Sequence, residues 1–468
     1  MKNLCRAVIA IAAVIGVYCG CCRILTLKSE DGIKQMQSYY LQKENTVDAL
    51  LLGSSHIYCD INTGILWDEY GISAFDLGGA EQPYWNSYYF LKEALKTQTP
   101  GVIVLDITIP GIRSVDLQPE VWSVTNLYGM KWNKNRLEAT KVSTLDKKFE
   151  MILNPMNVMH TRYDELKKDD FVDENRSIDY KGFDYRETVV PFETRDMSDV
   201  TETMPMTEKE ETYFRKIIEY TKEKNIPLLL VSVPFPVYRY EDAQKIYNYE
   251  FQIAEEENIA HIDFNKDGYY EKIGLDFQKD LADEFHLNVS GNRKFSTYLG
   301  QYLQSTYSLQ DHRGDPLYAS WDKNAAILRQ EVAVHMLNEE QPEGEYLKDL
   351  QNDQFITVIS LGREAENAEF ISKNRDALKS LGVDAENPVS GELLILSGGK
   401  ALYASSDEEQ RQFMDLDDMK LLLVREGGPE DGKTKFFVNE EEHLLNSDGV
   451  KILVYDRQLK KIVNEAEF

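Results

Sequence analysis

The sequence predicts an α/β protein: a three-layer α/β/α unit built on a parallel sheet, followed by a second, smaller α/β domain. The first observation behind this prediction is a series of short apolar runs, each as long as a buried strand, that alternate with helical patterns. The second is the segment 331–344, which ends in Glu-Glu-Gln-Pro-Glu-Gly and has the composition of a linker. With 468 residues, the chain is too long for one ordinary small core and long enough for two domains.

The first predicted unit spans residues 29–330. Its strands are predicted where short apolar runs suit burial on both faces of a sheet, at 47–52, 72–77, 102–107, 226–233 and 260–264. Helices are predicted at 83–96, at 211–224, and from Gly291 onward, where apolar side chains recur at helical spacing. Because strands and helices of this length alternate, the sheet is expected to be parallel and covered on both faces.

Two further regions complete the predicted organisation. Residues 110–211 are acidic and show little sustained periodicity, so we interpret them as an insertion with short helices that forms one wall of a cleft. The second domain, 345–468, is predicted from a helix and a set of strands, at 355–361, 372–381, 393–396, 421–424 and 452–455.

Residues 1–28 are predicted to form a signal anchor that crosses the membrane once. The run 7–22 is apolar, and with Arg23 reaching toward the lipid headgroups the stretch approaches the ~20 residues that a bilayer requires. Lys2 and Arg6 precede the run, which favours an amino terminus in the cytoplasm and the rest of the chain outside. A cleaved signal peptide is the alternative, although no A-x-A site follows the apolar run.

Composition excludes several classes of function. Acidic residues outnumber basic ones by 80 to 52, and the formal net charge is −28. A general nucleic-acid binder, or a protein that docks on anionic lipid through a basic patch, needs the opposite balance. Of the five cysteines, only Cys59 lies beyond residue 22, so neither a disulfide framework nor a zinc site of paired C-x-x-C motifs is expected. We expect no metal and no organic cofactor.

Two motifs carry residue types suited to nucleophilic catalysis. Ser55 follows the first predicted strand in Gly-Ser-Ser, at the sheet edge where open α/β sheets bind their ligands. Asp283 and His286 form a D-x-x-H motif after the last predicted strand. A serine needs a base to remove its proton, and the base needs a third group to hold its tautomer. Either motif alone is weak, because the first also suits phosphate binding or helix capping and the second is near chance in an acidic chain.

Together the two motifs resemble the SGNH/GDSL hydrolase superfamily, whose first block places a serine after the first strand and whose last block is D-x-x-H. The resemblance covers roughly residues 47–304. It implies a flavodoxin-like sheet and an esterase in which Ser55 is the nucleophile, His286 the base and Asp283 the group that orients the base. The Gly-Ser-Ser block behind an amino-terminal anchor is most similar to the membrane-anchored subgroup that includes the teichoic-acid D-alanyl transfer protein of Gram-positive bacteria.

The predicted oxyanion hole departs from the family pattern. The resemblance implies a glycine amide after the second strand, for which Gly79 is the candidate, and Gln82 is a candidate side-chain donor. The asparagine of the third block is absent, because the third strand ends in Leu-Asp-Ile-Thr. Asn86 and His56 are expected to line the substrate site, and for His56 the equal alternative is that it only shapes the turn. Since the loss of one donor typically costs ~10²–10³ in rate, slow hydrolysis or transfer to a preferred acceptor is expected.

The resemblance also implies partners. They are a cell-envelope polysaccharide or a teichoic-acid-like polymer as acceptor, and a membrane-bound acyltransferase that could supply the acyl group. The alternatives are a catalytically degenerate domain that binds glycan or a partner, and an envelope scaffold whose carboxy-terminal module recruits one. That module, through 449–456 and 462–468, is similar to the interleukin-like domain of the PANDER family, which implies interaction rather than catalysis.

Overall fold

The protein consists of two compact units, Met1–Ala326 and Ile327–Phe468. The computed structural model describes residues 2–26, 31–112, 115–144, 159–171, 180–240, 242–362, 369–383, 392–405, 410–416, 419–426, 433–438, 440–445 and 449–468.

The first unit is built on a five-stranded parallel sheet with the strand order β2-β1-β3-β4-β5. The strands are β1 (Ala49–Gly53), β2 (Ala74–Gly78), β3 (Val102–Asp106), β4 (Leu228–Ser232) and β5 (Ala260–Asp263). Every residue of β1 to β4 is buried, as expected for strands that are covered on both faces. The parallel sheet confirms the predicted fold class.

Helices precede and follow these strands. The described helices of this unit are α1 (Lys2–Leu25), α2 (Ile33–Tyr39), α3 (Ser55–Asp60), α4 (Thr63–Tyr70), α5 (Tyr84–Ala94), α6 (Thr108–Ile112), α7 (Glu120–Tyr128), α8 (Lys134–Ser143), α9 (Lys168–Phe171), α10 (Glu208–Lys224), α11 (Ala243–Glu256), α12 (Tyr269–Ile273), α13 (Val289–Thr306) and α14 (Ala319–Asn338). Single turns of 3₁₀ helix lie at His160–Asp164, Tyr180–Gly182, Val237–Arg239 and Pro316–Tyr318.

The helices form a layer on each face of the sheet. Side chains of β1 alternate between the two faces, because successive residues of a strand point in opposite directions. Leu52 packs in a cluster with Phe90 of α5 and Phe214 of α10. Leu51 packs in the opposite cluster with Leu299 of α13. We call these the α5/α10 face and the α13 face; together with the sheet they form the three layers.

The region 110–211 is described in part, since 113–114, 145–158 and 172–179 lie outside the described residues. Its described part contains α7, α8 and α9. Residues 183–206 have no regular secondary structure, which accounts for the missing periodicity of their sequence.

At the amino terminus, α1 is long and apolar enough to cross a membrane. These properties also suit a signal sequence. Residues 27 and 28, where the predicted anchor ends, lie outside the described residues.

The second unit contains two further sheets. Its strands are β6 (Phe355–Leu361), β7 (Leu393–Ser397), β8 (Lys400–Ser405), β9 (Gln410–Leu416), β10 (Met419–Glu426), β11 (Lys433–Val438), β12 (Glu441–Leu444), β13 (Val450–Asp456) and β14 (Lys461–Glu467). Neighbouring strands are antiparallel, in the orders β14-β13-β6-β7-β8 and β12-β11-β10-β9. The described helices that begin in this unit are α15 (Glu343–Asp349), α16 (Glu369–Lys373) and α17 (Arg375–Ser380).

Two sequence-based expectations for this region need correction. Residues 331–338, predicted as part of a linker, continue α14, and the segment buries Leu337. The single helix predicted at 372–381 is interrupted at Asn374, which separates α16 from α17.

Candidate active site

Ser55 is the first residue of α3 and follows the end of β1 after one turn residue. Gly53 permits this tight turn, because a Cβ at its position would lie 2.6 Å from the Cβ of Asp106 on β3. Ser54 caps the helix, since its Oγ accepts a hydrogen bond from the His56 N–H at 3.4 Å. The Ser55 side chain is therefore presented, partly exposed, at the carboxyl edge of the sheet.

Asp106 holds this turn in place. Its Oδ2 accepts a hydrogen bond from Ser54 Oγ at 2.8 Å, and its Oδ1 accepts one from the Thr108 N–H at 2.8 Å. Burial raises the pKa of Asp106, and the hydrogen bonds from Thr108 and Ser54 oppose that shift. The side chain ties the turn after β1 to the start of α6. The sequence identifies Asp106 only as part of the strand end where the asparagine of the third block is absent.

His286 lies between Ser55 and Asp283. Its Nε2 is 2.8 Å from Ser55 Oγ, and its Nδ1 is 2.9 Å from Asp283 Oδ2. Because an ionised carboxylate can only accept, Nδ1 is the nitrogen that donates to Asp283. In the neutral ring, Nε2 is then the acceptor that faces the serine hydroxyl.

The environment of Asp283 keeps it ionised. Burial by itself would raise the pKa of its carboxyl group, but the hydrogen bond and charge of His286 outweigh burial. The N–H groups of Phe285 and His286 also donate to its Oδ1, at 2.7 and 2.9 Å. The resulting pKa of Asp283 is about 2.

The loop that carries His286 is held at both ends. Leu281 and Leu287 form an antiparallel bridge, and the Ala282 N–H donates to the His286 carbonyl at 2.8 Å. The Oδ1 of Asp60, the last residue of α3, accepts the Leu287 N–H at 2.7 Å. Asp60 is fully buried, and burial raises the pKa of its carboxyl group well above the usual value. The helix α3 therefore begins with the serine and ends with an anchor for the loop of the base.

An extended segment, residues 184–192, lies against the same loop; we call it the strap. The Val190 N–H donates to the Leu281 carbonyl at 2.9 Å, and Thr188 Oγ1 donates to the Ala282 carbonyl at 2.8 Å. The sequence reasoning missed these contacts, because an isolated extended segment leaves no periodic pattern.

His56, predicted to line the substrate site, is fully buried. Its Nδ1 lies 3.3 Å from Ser54 Oγ, and its ring centroid is 5.3 Å from the rings of both His286 and Phe235. Burial, together with the charge of His286, lowers the pKa of His56 well below its usual value. His56 is therefore a neutral packing group beneath the turn and not a surface that a substrate can contact.

Gly79, predicted as an oxyanion donor, does not offer a free amide. Its N–H donates to the Gly53 carbonyl at 3.3 Å, which extends the pairing of β1 with β2 past the strand ends. The turn is also crowded, because a Cβ on Gly79 would lie 1.8 Å from Asn126 Oδ1. Gly79 as an oxyanion donor stays a prediction, and in this structure its N–H is bonded to the Gly53 carbonyl.

Gln82 and Asn86 are buried away from solvent. The Gln82 Nε2 donates to Ser87 Oγ at 3.1 Å, and the Asn86 Oδ1 accepts from Ser143 Oγ at 3.0 Å. Within the described residues, neither side chain is hydrogen-bonded to Ser55. The structure thus brings the three predicted catalytic residues together, and it bonds the Gln82 and Asn86 side chains to other partners.

Metal ligands and thiols are the other groups that could carry chemistry. No three His, Cys, Asp or Glu side chains come together there as a metal site would require. Cys59 is fully buried on α3, and burial raises the pKa of its thiol well above the usual value. A thiol of this kind is a packing group rather than a nucleophile.

Comparison with known proteins finds similarity to solved structures. No model of a protein family matches the chain, and no curated protein matches it. Among solved structures, the chain is similar to a candidate lipolytic protein of the G-D-S-L family from Desulfitobacterium hafniense DCB-2. The identity is 12%, the match covers 55% of this chain and 99% of the other, and the TM-score is 0.30. We therefore base the function on the geometry of the site.

Proposed function

We propose that the first unit is a serine ester hydrolase or O-acyltransferase of the SGNH type. The observation that carries the proposal is the hydrogen-bonded series Ser55–His286–Asp283, with separations of 2.8 and 2.9 Å. A serine hydroxyl becomes a useful nucleophile when a base accepts its proton, and the base keeps the required tautomer when a carboxylate holds its other nitrogen. These contacts meet both requirements.

The chemistry proceeds through an acyl-enzyme. Ser55 Oγ attacks the ester carbonyl carbon while its proton passes to His286 Nε2. Asp283 stabilises the imidazolium and stays ionised, in keeping with its pKa of about 2. The tetrahedral intermediate collapses as His286 gives the proton to the leaving alcohol, and the acyl group remains on Ser55. Water or an acceptor hydroxyl then attacks, His286 accepts its proton, and the proton returns to Ser55 as the product leaves.

The oxyanion is stabilised from one side. The Ser55 N–H, at the start of α3, makes no hydrogen bond within the described residues and is available as a donor. Gly79 can contribute only if its hydrogen bond to the Gly53 carbonyl opens. Because one missing donor typically costs ~10²–10³ in rate, we expect slow hydrolysis.

In this proposal α1 anchors the protein in the cell membrane with the first unit outside, since Lys2 and Arg6 precede its apolar run. The acceptor is a hydroxyl of a cell-envelope polysaccharide or teichoic-acid-like polymer, and a membrane-bound acyltransferase supplies the acyl group. The resemblance of the Gly-Ser-Ser block supports these assignments.

The test is covalent labelling of the full chain in detergent with a fluorophosphonate, followed by mass spectrometry. We expect the label on Ser55, its loss in His286→Ala, and its retention in His312→Ala. His312 is a matched control, because its Nε2 lies 3.0 Å from Asp48 Oδ2, just before β1 at the other edge of the sheet. A folded protein that takes no label on Ser55 would overturn the proposal.

The alternative is a non-catalytic domain that binds glycan or a protein partner. The engaged amide of Gly79 is the observation that favours it. The same experiment decides between the two, since an unactivated serine would react no faster than other exposed serines of the chain.

A further inference from the structure

The carboxyl-terminal end of α1 is attached to a short surface segment, residues 160–171. This segment contains the 3₁₀ turn His160–Asp164 and the helix α9. Arg162 Nη1 donates a hydrogen bond to the carbonyl of Leu25, the last residue of α1, at 2.6 Å. Because the last carbonyl groups of a helix have no partner within it, this bond caps the helix. The segment 160–171 therefore lies at the end of the helix that is predicted to cross the membrane.

A largely buried ion pair stabilises this attachment. Arg162 Nη2 lies 3.0 Å from Asp170 Oδ1, and the two side chains are 14% and 7% exposed. The Lys167 N–H donates to Asp170 Oδ2 at 2.9 Å, just before α9 begins. Since the same arginine bonds both Asp170 and the Leu25 carbonyl, the segment is fixed relative to the end of α1.

Two exposed aromatic side chains follow the members of this ion pair in the sequence. Tyr163 follows Arg162 and is 70% exposed, and Phe171 follows Asp170 and is 59% exposed. Aromatic side chains at the end of a membrane-spanning helix favour the headgroup region, which accommodates both their apolar rings and their polar groups. Acidic residues outnumber basic ones in 160–171, so contact with lipid here depends on the rings and not on positive charge.

The position of these rings along the membrane normal follows from α1. Arg23 is the basic residue of its last turn, and a long basic side chain at a helix end reaches the headgroups. Leu25 lies two residues, or ~3 Å, farther along the helix. Because Arg162 bonds the Leu25 carbonyl, the neighbouring Tyr163 lies within a side chain's length of the headgroups.

Beyond α1, the chain first meets the sheet at its carboxyl edge. Asp31 is the first described residue after Thr26, and the five peptide units between them span at most ~18 Å. The Asp31 carbonyl accepts the Ala80 N–H at 2.8 Å, just after β2. Its Oδ1 accepts the Tyr58 hydroxyl at 3.2 Å, and Tyr58 lies about one turn after Ser55 in α3. The edge that carries the nucleophile is therefore close to the end of α1.

The amino edge of the sheet is reached later in the chain. After α2, the Asn45 N–H donates to the Thr97 carbonyl at 3.0 Å, in the connection that precedes β3. Leu41, between α2 and this contact, is 67% exposed. The strands β1 to β4 have five residues each, so the two edges are ~16 Å apart. The helix α2 thus takes the chain away from the edge that carries Ser55.

We propose that Tyr163 and Phe171 lie in the headgroup region of the bilayer that α1 crosses, and that the carboxyl edge of the sheet faces this membrane. The inference rests on one part of the proposed function, the anchoring of the chain by α1. It adds that Ser55 works close to the membrane surface, where esters linked to membrane lipids have a high local concentration.

The test introduces tryptophans into the full chain, reconstituted in phosphatidylcholine vesicles whose lipids are brominated near the headgroup. Bromine quenches tryptophan emission only at short range, and the emission of the five native tryptophans is subtracted as that of wild type. We expect the emission added by Tyr163→Trp and by Phe171→Trp to fall by at least about half. Leu41→Trp is the matched control, because Leu41 is similarly exposed but lies toward the amino edge. Its added emission should fall by less than about a tenth.

The outcomes separate this inference from the proposed function. Flotation of the vesicles in alkaline carbonate retains only a chain that spans the bilayer, so loss of the protein there would overturn the anchoring and this inference together. If the chain floats and neither Tyr163→Trp nor Phe171→Trp is quenched, the inference alone is wrong. Equal quenching of Leu41→Trp would contradict the orientation of the sheet. Near-ultraviolet circular dichroism identifies a misfolded variant, in which case the other variant decides.

Discussion

The two sides of the turn after β1 differ in how their polar groups are used. On the side of the base, Ser55 and His286 face each other at 2.8 Å, and hydrogen bonds with Asp283, Asp60 and the strap hold the loop that carries His286. On the side of the turn after β2, the Gly79 N–H donates to the Gly53 carbonyl. There, Gln82 Oε1 and Asn126 Oδ1 have no hydrogen-bond partner within the described residues. We call these the base side and the glycine side.

Under the proposed function, this difference means that the base side is organised for proton transfer before any substrate binds, as efficient catalysis requires. On the glycine side, the hydrogen bond from the Gly79 N–H to the Gly53 carbonyl must open before Gly79 can stabilise an oxyanion. Activity should therefore be sensitive to changes on the base side and tolerant of changes on the glycine side.

The largest expected effect is that of Ser55→Ala. Hydrolysis of an activated ester should fall by roughly 10⁵–10⁶, to the background of a site without a nucleophile. Steady-state assays at matched protein concentration measure this loss, with Ser198→Ala, an exposed serine on a surface turn, as the control. Residual activity above a tenth of wild type in Ser55→Ala would place the chemistry elsewhere.

A slightly smaller loss, ~10⁴ in kcat, is expected for Asp283→Asn, because the amide no longer fixes the tautomer of His286. Since the pKa of Asp283 is about 2, its carboxylate is ionised at every pH above about 4, and the loss should be constant between about pH 5 and 8. A pH–rate series on both proteins checks this expectation. The control is Glu284→Gln, whose exposed carboxylate pairs with Arg239 at 3.2 Å and lies outside the hydrogen-bonded series.

A comparison of two buried aspartates tests stability on the two sides. Asp106 accepts hydrogen bonds from Ser54 and Thr108, so Asp106→Asn, which replaces an acceptor by a donor, should lower the free energy of unfolding by about 1–3 kcal/mol. The carboxyl oxygens of Asp76 on β2 have no partner within the described residues, so at about pH 4 Asp76→Asn should be close to neutral. Urea denaturation measures both, and equal losses would contradict the distinction.

The Asp76 variant also has an expected pH dependence. Burial raises the pKa of Asp76 well above its usual value, so the folded state keeps the proton that the unfolded chain releases above about pH 4. The free energy of unfolding of the wild-type protein therefore falls as the pH rises above the unfolded-state pKa of Asp76. Asp76→Asn removes this pH dependence. The variant should gain stability relative to wild type as the pH rises from about 4 to 8.

The smallest effect is expected on the glycine side. Gln82→Ala should change kcat by less than about tenfold, because the side chain is bonded to Ser87 and not to the serine. Its main consequence should be a loss of about 1 kcal/mol in unfolding free energy. A hundredfold loss of kcat without a matching loss of stability would show that the glycine side takes part in catalysis.

The positions of the strands can be predicted from the sequence. The residues that hold the turn of Ser55 and the loop of His286 in place cannot. Strands of a doubly covered sheet are apolar throughout, so their positions are visible in the sequence, and the residues that follow them are placed at one edge. Ser55 and His286 could be proposed on that basis. Asp60 and Asp106 could not, because an acidic residue at the end of an element looks the same whether it anchors a loop or faces solvent.

Contacts that are distant in sequence explain what the sequence does not reveal. Nothing local to Gly79, the predicted oxyanion donor, indicates that its N–H pairs with the Gly53 carbonyl. The linker is predicted from the Pro- and Gly-containing stretch 339–344, which does not reveal that residues 331–338 continue α14.

The attachment of Asp60 to Leu287 has a consequence for how the protein is made. Ser55 is synthesised early, but His286 lies 231 residues later in the chain, and the loop that carries His286 is bonded to the far end of the same short helix. Under the proposed function, a newly synthesised Ser55 therefore lacks its base until the D-x-x-H loop emerges and docks on α3. Truncated or stalled chains would then carry no esterase activity.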